Sequence, residues 1–137
     1  MITAVDTNVL LDVFGADPVH LKNSQSALRE CLAEGSVIAC EMVWAETAAF
    51  FPSVQSAVDT MDRLGVIYSE INKDVSLQAS IAWRKYRKRG GTRLRILPDF
   101  LIGAHAAVCA DRLLTRDSKF HKTFFAGLSV LDPSKRS

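Results

Sequence analysis

Residues 1–12, Met1-Ile2-Thr3-Ala4-Val5-Asp6-Thr7-Asn8-Val9-Leu10-Leu11-Asp12, form two apolar runs separated by a polar triplet. A strand buried on both faces reads as a continuous apolar run, and ligands of open parallel sheets gather beyond the carboxyl ends of such strands. Ile2, Ala4 and Val5 fit that strand, and Asp6 stands at its end with the oxygens of Thr7 and Asn8 beside it. Taken alone, Asp6 or Thr7 is equally well explained as the cap of a helix starting at Asn8 or Val9. Three later segments, however, also bring a carboxylate to a strand end or helix start.

The rest of the chain repeats an alternation of strand and helix. Asp17-Pro18 reads as a helix start, followed by a helix to Ala33 that Gly35 ends. A buried strand follows at 36–40, then a helix from Glu41 or Met42 that Pro52 stops, and another from Ser53 to about Leu64. Residues 65–68 suit a third strand, Asp74 to Lys88 a helix, and Leu97 to about Ala110 a helix whose Ile102, Gly103, Ala106 and Ala107 allow close approach to the sheet. A fourth strand is expected at 112–115, a turn or short helix at 116–123 and a last strand at 128–131. Alternating strands and helices argue for an α/β fold with a mostly parallel sheet covered on both faces. The 137 residues suit a single domain spanning 1–137 with one core.

Composition removes several classes. With 48% hydrophobic and 23% charged residues, the chain has neither a disordered nor a fibrous signature. No apolar run approaches the ~20 residues of a membrane span, and Asp6 and Asp12 interrupt what would be a signal peptide. Cys31, Cys40 and Cys109 are odd in number and widely spaced, so they suit buried thiols in a reducing compartment, and a cytoplasmic location is expected. Net charge is only +2, yet seven basic residues (Arg84, Lys85, Arg87, Lys88, Arg89, Arg93 and Arg95) fall between 84 and 95 with no acid among them. The remainder holds ten basic against fifteen acidic residues. Dipole compensation at a helix C-terminus accounts for two or three such charges, not seven, and a polyanionic partner such as RNA is the natural counterpart.

Four acids share an address at the C-terminal edge of the sheet. Asp6 ends the first strand, Glu46 lies one turn into the helix after the second, Asp99 begins a helix after Pro98, and Asp117 follows the fourth strand. Each has an ordinary explanation as a cap, a dipole partner or a solvated residue. Together they would repel strongly unless protonated or held by a cation. Mg²⁺ or Mn²⁺ favours oxygen ligands, and no His or Cys spacing suggests a softer metal. An acidic cluster beside a basic segment suggests metal-assisted phosphodiester hydrolysis. Trp44, Phe50, Phe51 and Met61 suit core packing, or a dimer or partner surface. His105 lies on a different face from Asp99 and suits a packed histidine, while His20 and His121 offer less.

The segments Asp6-Thr7-Asn8, Ala45-Glu46, Leu97-Pro98-Asp99-Phe100-Leu101-Ile102-Gly103-Ala104-His105-Ala106 and Thr115-Arg116-Asp117-Ser118-Lys119-Phe120 resemble the four acidic motifs of PIN-domain ribonucleases, most closely the VapC toxins of toxin–antitoxin pairs. The resemblance runs in order over essentially the whole chain. It implies a three-layer α/β/α fold around a five-stranded sheet, and Mg²⁺- or Mn²⁺-dependent cleavage of RNA. It further implies a site of Asp6, Glu46, Asp99 and Asp117. Asp6 and Asp99 would be direct ligands, Glu46 and Asp117 would ligate or hold metal-bound water, and Thr7, Asn8 and Thr115 would orient the cluster. A homodimer held inactive by a cognate antitoxin protein is implied as well. A phosphatase or phosphoacceptor domain is disfavoured because Asn8 stands where a second Asp is needed and the strand at 66–68 ends in Ser69. A non-catalytic RNA- or protein-binding PIN module would be marked by lost acids, and all four are present.

Overall fold

The computed structural model describes residues 1–91 and 97–135. Arg93 and Arg95 of the basic segment lie outside the described residues. In chain order the elements are β1 (Ile2–Val5), α1 (Thr7–Phe14), α2 (Leu21–Glu34), β2 (Ser36–Ala39), α3 (Glu41–Phe50), α4 (Val54–Leu64), β3 (Val66–Tyr68), α5 (Lys73–Lys88), α6 (Leu97–Cys109), β4 (Arg112–Leu114), α7 (Ser118–Phe124) and β5 (Val130–Leu131). A 3-10 turn at Pro133–Lys135 follows. The five strands form one parallel sheet in the order β3-β2-β1-β4-β5.

That order places the site. The chain lays β2 and β3 to one side of β1, then returns to lay β4 and β5 on the other, so the direction of winding reverses between β1 and β4. The crevice at such a switch point, outside the carboxyl ends of the strands, is where open α/β sheets bind ligands. The two strands meet there through Asp6 N–H, which donates to the Leu114 carbonyl at 2.9 Å.

Successive strand residues point to opposite faces. Thr3, Ala4 and Val5 of β1 and Val37, Ile38 and Ala39 of β2 are all buried, so helices cover both faces of the sheet in an α/β/α sandwich. One core gathers these strands with Val9 and Leu10, Leu28 and Cys31, Val43, Met61, and Ile102 and Ala106. A second core lies among α5, α6 and α7, where Val75, Ala79 and Ala82 pack on Phe100, Ala104 and Phe125. Phe100 is its hub. The rings of Trp83, Tyr86, Phe120 and Phe124 all lie with centroids 5.1–6.4 Å from it.

Two expectations change. Asp17-Pro18 does not open the helix directly. Asp17 Oδ1 accepts from the N–H groups of Val19 and His20, closing a turn, and α2 begins only at Leu21. Gly103 faces α7 rather than the sheet: a Cβ there would run into the Phe125 ring and lie 2.8 Å from His121 Nδ1. Ile102 and Ala106 make the sheet contact, and Ala107 is exposed. Of the apolar residues singled out, Met61 is core, Trp44 packs edge-on against Tyr68, and Phe50 and Phe51 meet edge to face near the surface.

Candidate functional site

Asp6 is the N-cap of α1, and only 5% of it is exposed. One carboxylate oxygen, Oδ1, accepts from Thr7 N–H at 2.7 Å, and the other, Oδ2, accepts from the Thr115 hydroxyl at 2.7 Å. Thr115, fully buried just beyond β4, also accepts from Asp117 N–H at 2.9 Å, so a single hydroxyl links the first and last acids. Asn8 lies between the same two loops. Its Nδ2 is 3.4 Å from both Asp6 Oδ2 and Thr115 Oγ1, and its Oδ1 accepts from Arg116 N–H. On the other side, the Thr7 hydroxyl donates to Glu46 Oε1 at 2.8 Å, tying β1's end to α3. Asp6, Glu46 and Asp117 thus share one hydrogen-bond network through Thr7, Asn8 and Thr115.

Asp99 completes the group from the first turn of α6. Its pKa is pushed up to about 6, first by burial, then by the charges of Asp6 and Asp117, with Glu46 adding to the rise and His121 opposing it. All three other carboxylates therefore act on Asp99 through space. The helix N-terminus, which favours an anion, does not outweigh them.

Two contributors escaped the sequence reading. His121 is fully buried, with Nε2 3.6 Å from Asp6 Oδ2, inside ion-pair range but beyond a hydrogen bond. Among the described residues, neither ring nitrogen has a hydrogen-bond partner. Its spacing of four residues from Asp117 along α7 was the available signal, because such residues share a helix face. Asp12, 3% exposed, receives Arg116 in a two-pronged pair at 2.7 and 2.9 Å and the Ser24 hydroxyl at 2.6 Å. This pair holds the loop between Thr115 and Asp117 against α1. A carboxylate inside the apolar run of α1 was its sequence mark. His105 is the packed histidine expected: it is 1% exposed, its Nε2 lies 2.8 Å from Ser69 Oγ, and burial lowers its pKa.

Among the described residues, no three His, Cys, Asp or Glu side chains already enclose a common point as a finished ligand set would. The donor chemistry nonetheless fits a hard divalent ion. The converging acids offer oxygen alone, their mutual repulsion lifts Asp99, and a cation drawn in among them would relieve that cost. The three cysteines are free; Cys31 and Cys40 are buried in the core.

The basic segment divides by helix face. Arg84, Arg87 and Lys88 line a cavity of about 520 Å³ with Ser80 and Trp83. Lys85 faces elsewhere, beside Gln78, Ile81 and Phe124. Arg89 sits over the Phe124 ring, 5.7 Å from its centroid. Among the described residues, no helix is long and apolar enough to cross a membrane.

A family model described as the PIN domain matches residues 3–125. No curated protein sequence matches the chain. Among solved structures, VapBC2 from Rickettsia felis, bound to a DNA fragment from its promoter, is similar over 96% of this chain and 98% of its own, with a TM-score of 0.74 and 17% identity. VapBC-1 from nontypeable Haemophilus influenzae is similar over 98% of this chain and 100% of its own, with a TM-score of 0.73 and 19% identity. A toxin–antitoxin complex from Klebsiella pneumoniae is similar over 96% and 97%, with a TM-score of 0.68 and 22% identity. At such identities these likenesses speak for the fold, whereas the family model spans most of the sequence and includes all four acids: the chain belongs to the PIN-domain family.

Proposed function

We propose that this protein is a metal-dependent endoribonuclease and the toxin of a VapBC-type toxin–antitoxin pair. The observation that supports it most is the meeting of Asp6, Glu46, Asp99 and Asp117 at the β1–β4 crevice, close enough that three of them raise the pKa of the fourth. In this reading Asp6 and Asp99 ligate Mg²⁺ or Mn²⁺ directly, and Glu46 and Asp117 ligate it or hold its water. The bound ion would polarise a phosphodiester and supply a hydroxide-like nucleophile at neutral pH. The residues around it fix geometry. Thr7, Asn8 and Thr115 would hold the carboxylates of Asp6 and Glu46 in place and the backbone of Asp117 beside them, and Arg116 on Asp12 would hold the Asp117 loop. Such supporting contacts commonly change metal affinity or activity 10- to 100-fold, roughly, when removed.

The RNA backbone would meet the basic face of α5. A cognate antitoxin, a homodimeric state, a cytoplasmic location and a single domain over 1–137 belong to the same proposal. One of the structures to which the chain is similar is a toxin–antitoxin complex, that from Klebsiella pneumoniae, which supports the antitoxin partner. Inducible expression without an antitoxin, with the ends of cleaved cellular RNAs sequenced, tests the reading. Growth arrest with discrete new RNA ends is expected, and Asp6→Asn should abolish both. New ends that persist unchanged in that variant would remove Asp6 from the active site.

A further inference from the structure

Trp83 is a large aromatic side chain that the acidic site does not use. One side of its ring lies over Phe100, with centroids 6.4 Å apart and planes 16° from parallel. Phe100 directly follows Asp99 in α6 and is fully buried, so Trp83 roofs the residue next to the acidic cluster. The ring also lines the cavity of about 520 Å³, within the roughly 300–1,000 Å³ typical of ligand pockets. The other described residues of that cavity are Ser80, Arg84, Arg87 and Lys88, which recur on one face of α5 at three- and four-residue spacing. Three are cations and none is an acid. A half-buried aromatic ring that lines a cavity among cations is the pattern that binds single-stranded nucleic acid, with the base on the ring and the phosphates on the charges.

We propose that the α5 groove of Trp83, Arg84, Arg87 and Lys88 is a nucleotide subsite, in which Trp83 stacks one unpaired base of the RNA and the three cations hold its flanking phosphates. The inference rests on the ribonuclease reading and deepens it: the substrate would be a single-stranded segment or loop, since a base within a duplex has no free face to offer. It also separates the basic residues. Arg84, Arg87 and Lys88 would contact RNA, while Arg89, engaged with Phe124, would serve packing.

Binding can be measured apart from cleavage, in EDTA, by anisotropy of a labelled single-stranded oligoribonucleotide. Inorganic polyphosphate, which carries charge without bases, serves as competitor and control. Trp83→Leu should weaken RNA binding by roughly 5- to 150-fold, the loss of one base–aromatic stack, and leave polyphosphate binding unchanged. Trp83→Phe, which keeps a ring, should recover most of the affinity and keeps the test valid if the leucine variant folds poorly. Arg87→Gln should flatten the dependence of log affinity on log salt by roughly 0.7, one phosphate contact on a single strand. In a Trp44→Phe background, RNA should quench the remaining indole, since the chain has two tryptophans. RNA affinity unchanged by Trp83→Leu, with no quenching, would overturn the subsite. Trp83→Leu dissociating a dimer in sedimentation without altering RNA affinity would also overturn it, because the groove would then be covered by a second copy. RNA binding with these signatures but no cleavage in Mg²⁺ would leave the subsite standing and fail the nuclease reading alone.

Discussion

At Asp99, burial and three neighbouring carboxylates set a stability cost with a definite pH signature. Its pKa in the folded protein is about 6 against an ordinary 3.8, so between those values the folded state holds a proton that the unfolded state has released. Stability of the metal-free protein should therefore fall as pH rises from about 4 to about 6 and lose nothing further from this group above that. Asp99→Asn removes the cost. At pH 7.5 and without divalent ions the variant should be more stable than the parent by about 1 kcal/mol, after allowing for screening of a half-buried group. Added Mg²⁺ should raise the melting temperature of the parent and leave the variant nearly unmoved, which thermal scans with and without EDTA would read. A variant less stable than its parent under metal-free conditions would mean the four acids do not repel as described. Thr115 carries the opposite role. Thr115→Val leaves Asp6 Oδ2 and Asp117 N–H without their shared partner, a loss of roughly 1–3 kcal/mol in urea denaturation, with Mg²⁺ affinity down about 10- to 100-fold. Normal Mg²⁺ affinity in that variant would make Thr115 a purely structural residue.

Among the elements, α6 and α7 depend on one missing side chain. Gly103 lets the His121 and Phe125 side chains approach α6, and a methyl group there would collide with both. Gly103→Ala should destabilise the protein by about 1–3 kcal/mol and reduce activity further by displacing His121 from Asp6. Full stability in that variant would show that the two helices can move apart freely. Legibility in the sequence followed the same physics. The placement of Asp6, Asp99 and Asp117 is readable because each follows an apolar strand or opens a helix, and that of Glu46 because it lies one turn into the helix after an apolar strand, positions that chain order alone reveals. That of His121 and Asp12 is not. Their role depends on which helix lies against which, and that is set by tertiary contacts such as the space at Gly103 and the reach of Arg116 across to α1. Asp17-Pro18 points to a helix that starts too early because the side chain of Asp17 closes a turn with which a proline-led helix would also begin. The spacing around Gly103 reveals a close-approach face but not its neighbour, which is α7 and Phe125 rather than the sheet, since spacing identifies a helix face without identifying what packs on it.

Over the whole molecule, the strand order β3-β2-β1-β4-β5 accounts for the site, because it opens the crevice between β1 and β4 where the acids meet. That order could not be derived from alternating elements alone, which are compatible with several doubly wound sheets. Charge is divided on the same scale. The acids gather at the crevice, and the cations belong to α5, which packs against α6, the helix that carries Asp99; a polyanion that reached both groups would meet repulsion at the acids unless a cation neutralised them first. The most direct measurement is cleavage of total cellular RNA by the purified protein in Mg²⁺, in Mn²⁺ and in EDTA, alongside Asp99→Asn. Discrete fragments in either metal, absent in EDTA and absent from the variant, are the expected result. Fragments that persist in EDTA, or that Asp99→Asn produces as readily as the parent, would contradict a metal-dependent site built on these four carboxylates.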